Sequence, residues 1–362
     1  MVVLEEVHEA HGATFGQRGG RRVVEHYGRP SRVHAAVRKV VGVLERAVGV
    51  VELSGADRVD FLDNAVSTPV PTTEGEGQYA LLLDPQGRIR TDMYVLDAGE
   101  RLLVLTPPGE AAPLAEDWAG KTFLQDVAVT DRTDEFAVFG VYGPKATEKL
   151  ASVTSVATPE TPLSFVRGSM GDSGVTVLRD DGLVGEEGYL VVATAEAAAD
   201  VWDSLENRGL NAAPFGAATW RSLTLEAGTP LFETELEGAI PNELGLRNAL
   251  DFEKGCFVGQ EVVSRIHNRG QPGRRLVGLR PGSLPDRGAA VVAEGATVGE
   301  VTRAATSPVL EAPVALALVE AEAATGGGPL SVRLEGSAVP ADLASLPFVT
   351  GSVTSARLPT YE

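Results

Sequence analysis

The densest run of chemistry-bearing residues is Lys254-Gly255-Cys256-Phe257-Val258-Gly259-Gln260-Glu261, continuing to Arg265, His267, Arg269 and Gly270. It holds the only thiol of the sequence and one of its five lysines, with an amide, a carboxylate and two arginines within 17 residues. A thiol near Lys254 and Arg265 would be driven toward thiolate, the nucleophilic and redox-active form. A buried cysteine is as readily an inert small hydrophobe. Residue chemistry alone therefore leaves both readings of Cys256 open.

A second candidate lies on a strand. Alternation over 88–96 puts Arg88, Arg90, Asp92 and Tyr94 on one face, opposite Ile89, Met93 and Val95. That face is polar and reactive in character, although a solvated strand face would look the same. His8 and His11 have a metal-ligand spacing, but no third or fourth ligand accompanies them, so no metal is expected. Gly171-Asp172-Ser173-Gly174 imitates a protease nucleophile segment, yet no histidine has a matching setting and a turn before the next strand explains the same residues. No phosphate loop or dinucleotide fingerprint occurs.

These residues need elements to position them. Val33, Val37, Val40 and Val41 predict a helix over 29–42, and Val48 to Leu53 reads as a buried strand. Ser54-Gly55-Ala56-Asp57 resembles a capping box opening a helix through Phe61, Leu62 and Val66. Gln78 to Leu83 and Arg88 to Leu96 are predicted strands joined by an Asp84-Pro85-Gln86-Gly87 turn. Further strands are expected at 101–106, 136–142, 174–179 and 188–193, with helices near 144–152 and 194–208. The class is α+β. After residue 275 the texture becomes Val-rich and punctuated by Gly and Pro, with helical period only over 312–324. This divides the chain into a region 1–275 and a small β-rich domain 276–362.

Composition limits the partners. Fifty acidic against 31 basic residues give a net charge of −19, which repels nucleic-acid backbones and anionic membranes. Lysine scarcity beside this acid excess reads as a halophilic surface, or as an acidic protein from a GC-rich genome. With a single cysteine, no apolar run near 18 residues and acidic Glu5, Glu6 and Glu9 at the start, the expected location is the reduced cytoplasm.

The run from Lys254 to Glu261, with Arg265 and Arg269-Gly270, resembles the signature of the YgfZ family of folate-binding proteins, which support iron-sulphur enzymes. Nearly end to end, the chain is also similar to the wider superfamily of the glycine cleavage T protein, a tetrahydrofolate-dependent aminomethyltransferase. His11-Gly12-Ala13, Gly19-Gly20, Tyr27, His34 to Arg38 and Val41-Gly42 resemble the T protein's opening more than a short YgfZ protein's. Other similar stretches are Gly143 to Ala146, Gly185-Glu186, Leu225-Glu226-Ala227-Gly228 and Ser307-Pro308.

The resemblance implies the T-protein fold: two discontinuous α+β subdomains and a carboxy-terminal β-barrel around a central folate hole. It implies tetrahydrofolate as cofactor, with Asp92 as functional acid, Tyr79 lining the pterin site and Glu186 accepting hydrogen bonds from the pterin. Arg221 and Arg265 are further folate-binding candidates, and Cys256 is a second catalytic candidate. Departures from the family pattern are Thr91-Asp92 for an acidic pair, Leu183-Val184 for Tyr-Thr, Thr224 for arginine, and Ser67-Thr68-Pro69 for Thr-Asn-Asp. Lost aligning groups hurt a transition state more than ground-state affinity. The expectation is therefore a YgfZ-like folate protein assisting iron-sulphur assembly or repair, with iron-sulphur client or assembly proteins as partners. The alternatives are an aminomethyltransferase served by a lipoyl carrier protein, and a non-catalytic scaffold.

Overall fold

Three β units make up most of the chain, and their order interleaves them. A computed structural model describes residues 3–361, apart from the side chain of Arg269. The first unit is a six-stranded sheet in the order Phe165–Met170, Ser173–Arg179, Gly188–Thr194, Phe136–Tyr142, Gly42–Glu45 and Ala213–Pro214, with only the last pairing parallel. The second has five strands, Gly77–Leu83, Ile89–Asp97, Arg101–Thr106, Gly49–Ser54 and Ala128–Asp131. It is inserted between two neighbouring strands of the first, Gly42–Glu45 and Phe136–Tyr142. The third is a closed six-stranded barrel running from Arg274–Pro281 to Ser337–Ala344. The α+β class with a carboxy-terminal β-barrel is thus the fold of the chain.

Where the three units meet they share one core. Tyr79, Leu81, Leu83 and Ile89 of the five-stranded sheet pack with Leu178, Leu183 and Leu190 of the six-stranded side and with Leu276, Val314, Leu316 and Phe348 of the barrel region. Each such aliphatic side chain contributes on the order of 1.5–3 kcal/mol by leaving water, so this junction is held as firmly as a domain interior. A buried charge cluster ties the helices Pro30–Lys39 and Ala217–Glu226 to the barrel. Glu226 accepts from His34 Nε2 at 2.9 Å, from Arg38 Nη2 at 2.9 Å and from Ser307 of the barrel at 2.5 Å. Burial opposes its charge, but His34, Ser307 and Arg38 hold its carboxyl below the usual range.

Two local expectations are overturned. The run 312–324 is not helical: Ala312–Glu320 is a barrel strand, and only Ala321–Thr325 forms a helix. Every residue from Val314 to Val319 is buried, so both faces of the strand are apolar and the two-residue period vanishes from the sequence. Ser54 does not cap a helix either, because it ends the strand Gly49–Ser54. The helix Arg58–Ala65 follows Asp57 without a side-chain cap, and Asp57 Oδ2 instead accepts from the Asp126 backbone N–H at 2.8 Å. His8 is fully buried, 2.9 Å from Glu45 and 2.8 Å from Tyr27, whereas His11 is exposed. Among the described residues no group of three metal-ligating side chains comes together, and no helix is long and apolar enough to cross a membrane.

Candidate active site

The hairpin carrying Asp92 is set by its turn and by what packs behind it. Asp84 Oδ1 accepts from the N–H groups of Gln86 and Arg88, and Gly87 adopts a φ of 74°. A Cβ on Gly87 would lie 2.9 Å from Val262 Cβ, and one on Gly259 would lie 2.6 Å from the Asp84 carbonyl oxygen. The cysteine-bearing run therefore buttresses the outside of this turn. Its lysine is turned inward as well: Lys254 Nζ donates to the carbonyls of Asp63 at 2.6 Å, Val66 at 2.9 Å and Thr68 at 3.2 Å. These carbonyls end the helix Arg58–Ala65, where a cation satisfies otherwise unpaired acceptors.

Register then decides which side chains of the hairpin meet. Tyr79 pairs with Tyr94 across the two strands, and Leu81 with Asp92. The Tyr79 hydroxyl donates to Asp92 Oδ2 at 3.1 Å. Arg357, from the segment that follows the barrel, reaches the same oxygen with Nη1 at 2.7 Å. Its guanidinium lies 3.9 Å from the Tyr79 ring centroid and 5.0 Å from that of Tyr94, and its Nε is 3.4 Å from Asp181 Oδ2. The Tyr94 hydroxyl donates to Asp181 Oδ1 at 2.8 Å. One buried guanidinium thus serves two buried carboxylates between two aromatic faces.

The protonation states follow from this packing. Burial pushes both tyrosine hydroxyls up, against the pull of Arg357 and with the help of the aspartates, so they remain neutral donors. Burial alone would lower Arg357, but Tyr79, Tyr94, Asp181 and Asp92 carry it above its ordinary value. Asp180 is pushed up to about 6 by burial and by Asp181, against the N–H groups of Leu183 and Gly182 and the charge of Arg46.

Asp92, Tyr94 and Arg357 floor an open cleft of about 100 Å³, walled by Leu183, Trp220 and Phe232. Asp92 Oδ1 is buried without a hydrogen-bond partner among the described residues. An unpaired buried carboxylate oxygen costs free energy, and a donor on a bound molecule would remove that cost.

The other expected site residues stand as follows. Tyr79 is fully buried behind Arg357 and does not line the cleft. Glu186 is buried and engaged by Arg38 Nη1 at 3.1 Å and by the Ser352 backbone N–H at 2.9 Å. Arg221 is exposed and paired with Glu25. Thr224 receives instead a guanidinium from the barrel: Arg303 Nη1 donates to its hydroxyl at 3.0 Å, and Nη2 to the Thr229 carbonyl at 2.6 Å. Arg265 is paired with Glu261 four residues earlier, and neither lines the cleft. Gly255, Cys256 and Gln260 are likewise absent from its walls, and Cys256 is exposed. Sequence reasoning missed Arg357, Asp181, Arg18 and Arg46; the last two also line the cleft.

Comparisons with known proteins agree with this architecture. The family of the GCVT N-terminal domain matches residues 4–254, and that of the glycine cleavage T-protein C-terminal barrel domain matches residues 274–350. An aminomethyltransferase of Saccharopolyspora erythraea is 32% identical, covering 95% of this chain and 96% of the relative. One from Cutibacterium acnes is 34% identical over 95% and 97%. The crystal structure of glycine cleavage system aminomethyltransferase T from Bartonella henselae has the same fold, with a TM-score of 0.87 at 23% identity over 97% of this chain and 98% of that one. These full-length matches overturn the YgfZ assignment and the iron-sulphur role drawn from it. The signature run resembles that of YgfZ proteins, but here its lysine holds the end of a helix and its Gly259 packs against the hairpin turn. The chain belongs to the glycine cleavage T-protein family.

Proposed function

We propose that this chain is a tetrahydrofolate-dependent aminomethyltransferase that receives its one-carbon unit from an aminomethyl group on a lipoyl carrier protein. The observation that carries this reading is Asp92, which lines an aromatic-walled cleft and whose buried Oδ1 has no partner among the described residues, in a chain similar to aminomethyltransferases along nearly its whole length. The donor set suits a reduced pterin: a flat heterocycle with several N–H groups matches a carboxylate acceptor and stacking faces. Tetrahydrofolate, when bound, supplies the nitrogens that accept the one-carbon unit.

The residues of the chain do the positioning. Arg357 and Tyr79 fix Asp92 Oδ2, which leaves Oδ1 as the acceptor that orients a ligand N–H. Trp220, Phe232 and Leu183 keep water from the floor, which strengthens that hydrogen bond. A carboxylate so held can also take a proton as the folate nitrogens bond to the methylene carbon, whose bond to its amine breaks to release ammonia and whose bond to sulphur breaks to release the lipoyl thiol, and alignment of this kind removes translational entropy from the barrier.

The test is an assay of 5,10-methylenetetrahydrofolate formation from tetrahydrofolate and an aminomethyl-loaded lipoyl carrier. Wild-type protein turns over, and Asp92→Asn loses about 10²–10⁴-fold in kcat while keeping its melting temperature within a few degrees. No turnover by folded wild-type protein, or full turnover by Asp92→Asn, refutes the reading.

A further inference from the structure

The wall of the cleft carries two arginines, Arg18 and Arg46, beside two glutamates, Glu45 and Glu233. Arg46 follows the strand Gly42–Glu45 and lines the cleft half-buried. Its guanidinium lies 4.2 Å from the Trp220 ring centroid, and Nη1 donates to the Tyr142 hydroxyl at 2.7 Å. Tyr142 is itself anchored, donating to Asp180 Oδ2 at 3.1 Å. Arg46 is thus a rigid cation rather than a mobile surface side chain. Among the described residues no carboxylate lies within ion-pair distance of it.

Arg18 shares the same wall and is paired with Glu233. Its Nε donates to both carboxylate oxygens of Glu233, at 3.1 and 3.0 Å. Burial lowers its pKa; Glu233 opposes this, while Arg46 and Arg221 act in the same direction as burial. The two guanidiniums lie close enough for their charges to act on each other, and only Arg18 has a carboxylate in direct contact, whereas Arg46 reaches Asp180 only across the Tyr142 hydroxyl. Such a pair repels itself until an anion enters, and the planar fork of arginine suits a carboxylate.

We propose that Arg46, with Arg18 beside it, binds a carboxylate of the small molecule held in the cleft. The inference rests on the tetrahydrofolate reading and deepens it by naming the group that the wall recognises. Two sources share this chemistry: the glutamyl tail of the folate, and the carboxylate of a free amino acid serving as one-carbon donor. An aminomethyl group on a lipoyl arm has no carboxylate of its own, so the second source would mean a donor other than the carrier.

Calorimetric titrations of the full chain separate these cases. The ligands are tetrahydrofolate, tetrahydropteroate, which lacks the glutamyl tail, and N-methylglycine added at saturating tetrahydropteroate. If the tail is the anion, Arg46→Gln weakens tetrahydrofolate about tenfold or more and leaves tetrahydropteroate within about twofold. If the amino acid is the anion, Arg46→Gln weakens N-methylglycine about tenfold and leaves both pterins unchanged. In either case wild-type affinity for that ligand falls between about 0.05 and 0.5 M salt, a readout that needs no variant. Arg46→Lys keeps the charge and retains part of the affinity, so a folding defect in the glutamine variant does not decide the outcome.

An equal loss for tetrahydrofolate and tetrahydropteroate shows that Arg46 only supports Trp220 and overturns the inference, as does unchanged binding of all three ligands. Both results leave folate binding intact. Wild-type protein that binds neither pterin overturns the folate reading, and this inference falls with it.

Discussion

The guanidinium of Arg357 lies 2.7 Å from the carboxylate of Asp92, although 265 positions separate the two residues. Arg357 reaches it because the segment after the barrel is stitched down on the way: Val353 N–H to the Gly185 carbonyl at 3.3 Å, and Ala356 N–H to the Asp181 carbonyl at 2.9 Å. Gly351 is needed for this path, since a Cβ there would come 1.9 Å from the Gly185 carbonyl oxygen. Glu186 holds the same segment through the Ser352 N–H.

Removing this cation strands two buried acids. Arg357→Gln should cost about 3–5 kcal/mol, the range for breaking a buried ion pair from one side, and should abolish pterin binding. Urea unfolding and calorimetry check both. A loss below about 1 kcal/mol would show that Asp92 and Asp181 do not depend on Arg357.

Asp180 gives the stability a pH dependence. Its folded value of about 6 lies above the ordinary 3.8, so the folded state favours the protonated form. The stability linked to this proton is fully present below about 3.8 and is lost as pH rises through about 6. The loss is on the order of 3 kcal/mol. Asp180→Asn keeps an acceptor for Gly182 and Leu183 and should flatten that slope, raising stability relative to wild type at pH 7. Denaturation at several pH values reads it directly.

Arg303 is a buried cation that the barrel places behind the cleft. It lies 3.4 Å from Glu235, inside the single π-helical turn Phe232–Leu236 that presents Phe232 and Glu233. Arg303→Met leaves Glu235 buried without its cation and should cost about 3–5 kcal/mol. Arg303→Met combined with Glu235→Leu should recover most of that loss. A double variant no better than the single one would rule out an ion pair as the cause.

Cys256 should be accessible and dispensable for folding. It is exposed, and it does not line the cleft. A maleimide should modify it in the native state with tetrahydrofolate bound as readily as without, and Cys256→Ser should shift stability by less than about 0.5 kcal/mol. Protection of the thiol by folate would place it nearer the ligand than this structure does.

The parts of the site that were legible in the sequence are those set by local rules. The Asp84 to Gly87 turn and the alternation after it located Asp92 and Tyr94 on one face, because a two-residue period and a proline-glycine turn are read within ten residues. The partners of Asp92 were not legible. Arg357 sits in Ser355-Ala356-Arg357-Leu358-Pro359, a stretch without period, and its place depends on a path across two other units. Arg303 at Thr224 is a similar case, where a barrel strand supplies the guanidinium that Arg221 was expected to present from its own helix. Cys256 drew attention by rarity, yet rarity carries no information about which way a side chain points. The helical period over 312–324 misled for a related reason, since an alanine-rich strand buried on both faces has no alternation to detect.

The path of that segment also has a bearing on how the cleft could be switched off. The strands of both sheets and of the barrel all lie before residue 345, so the stretch that carries Arg357 belongs to none of them. Were it to lift locally, Asp92 and Asp181 would lose the guanidinium they share. The cleft would then be disarmed while both sheets kept their pairing.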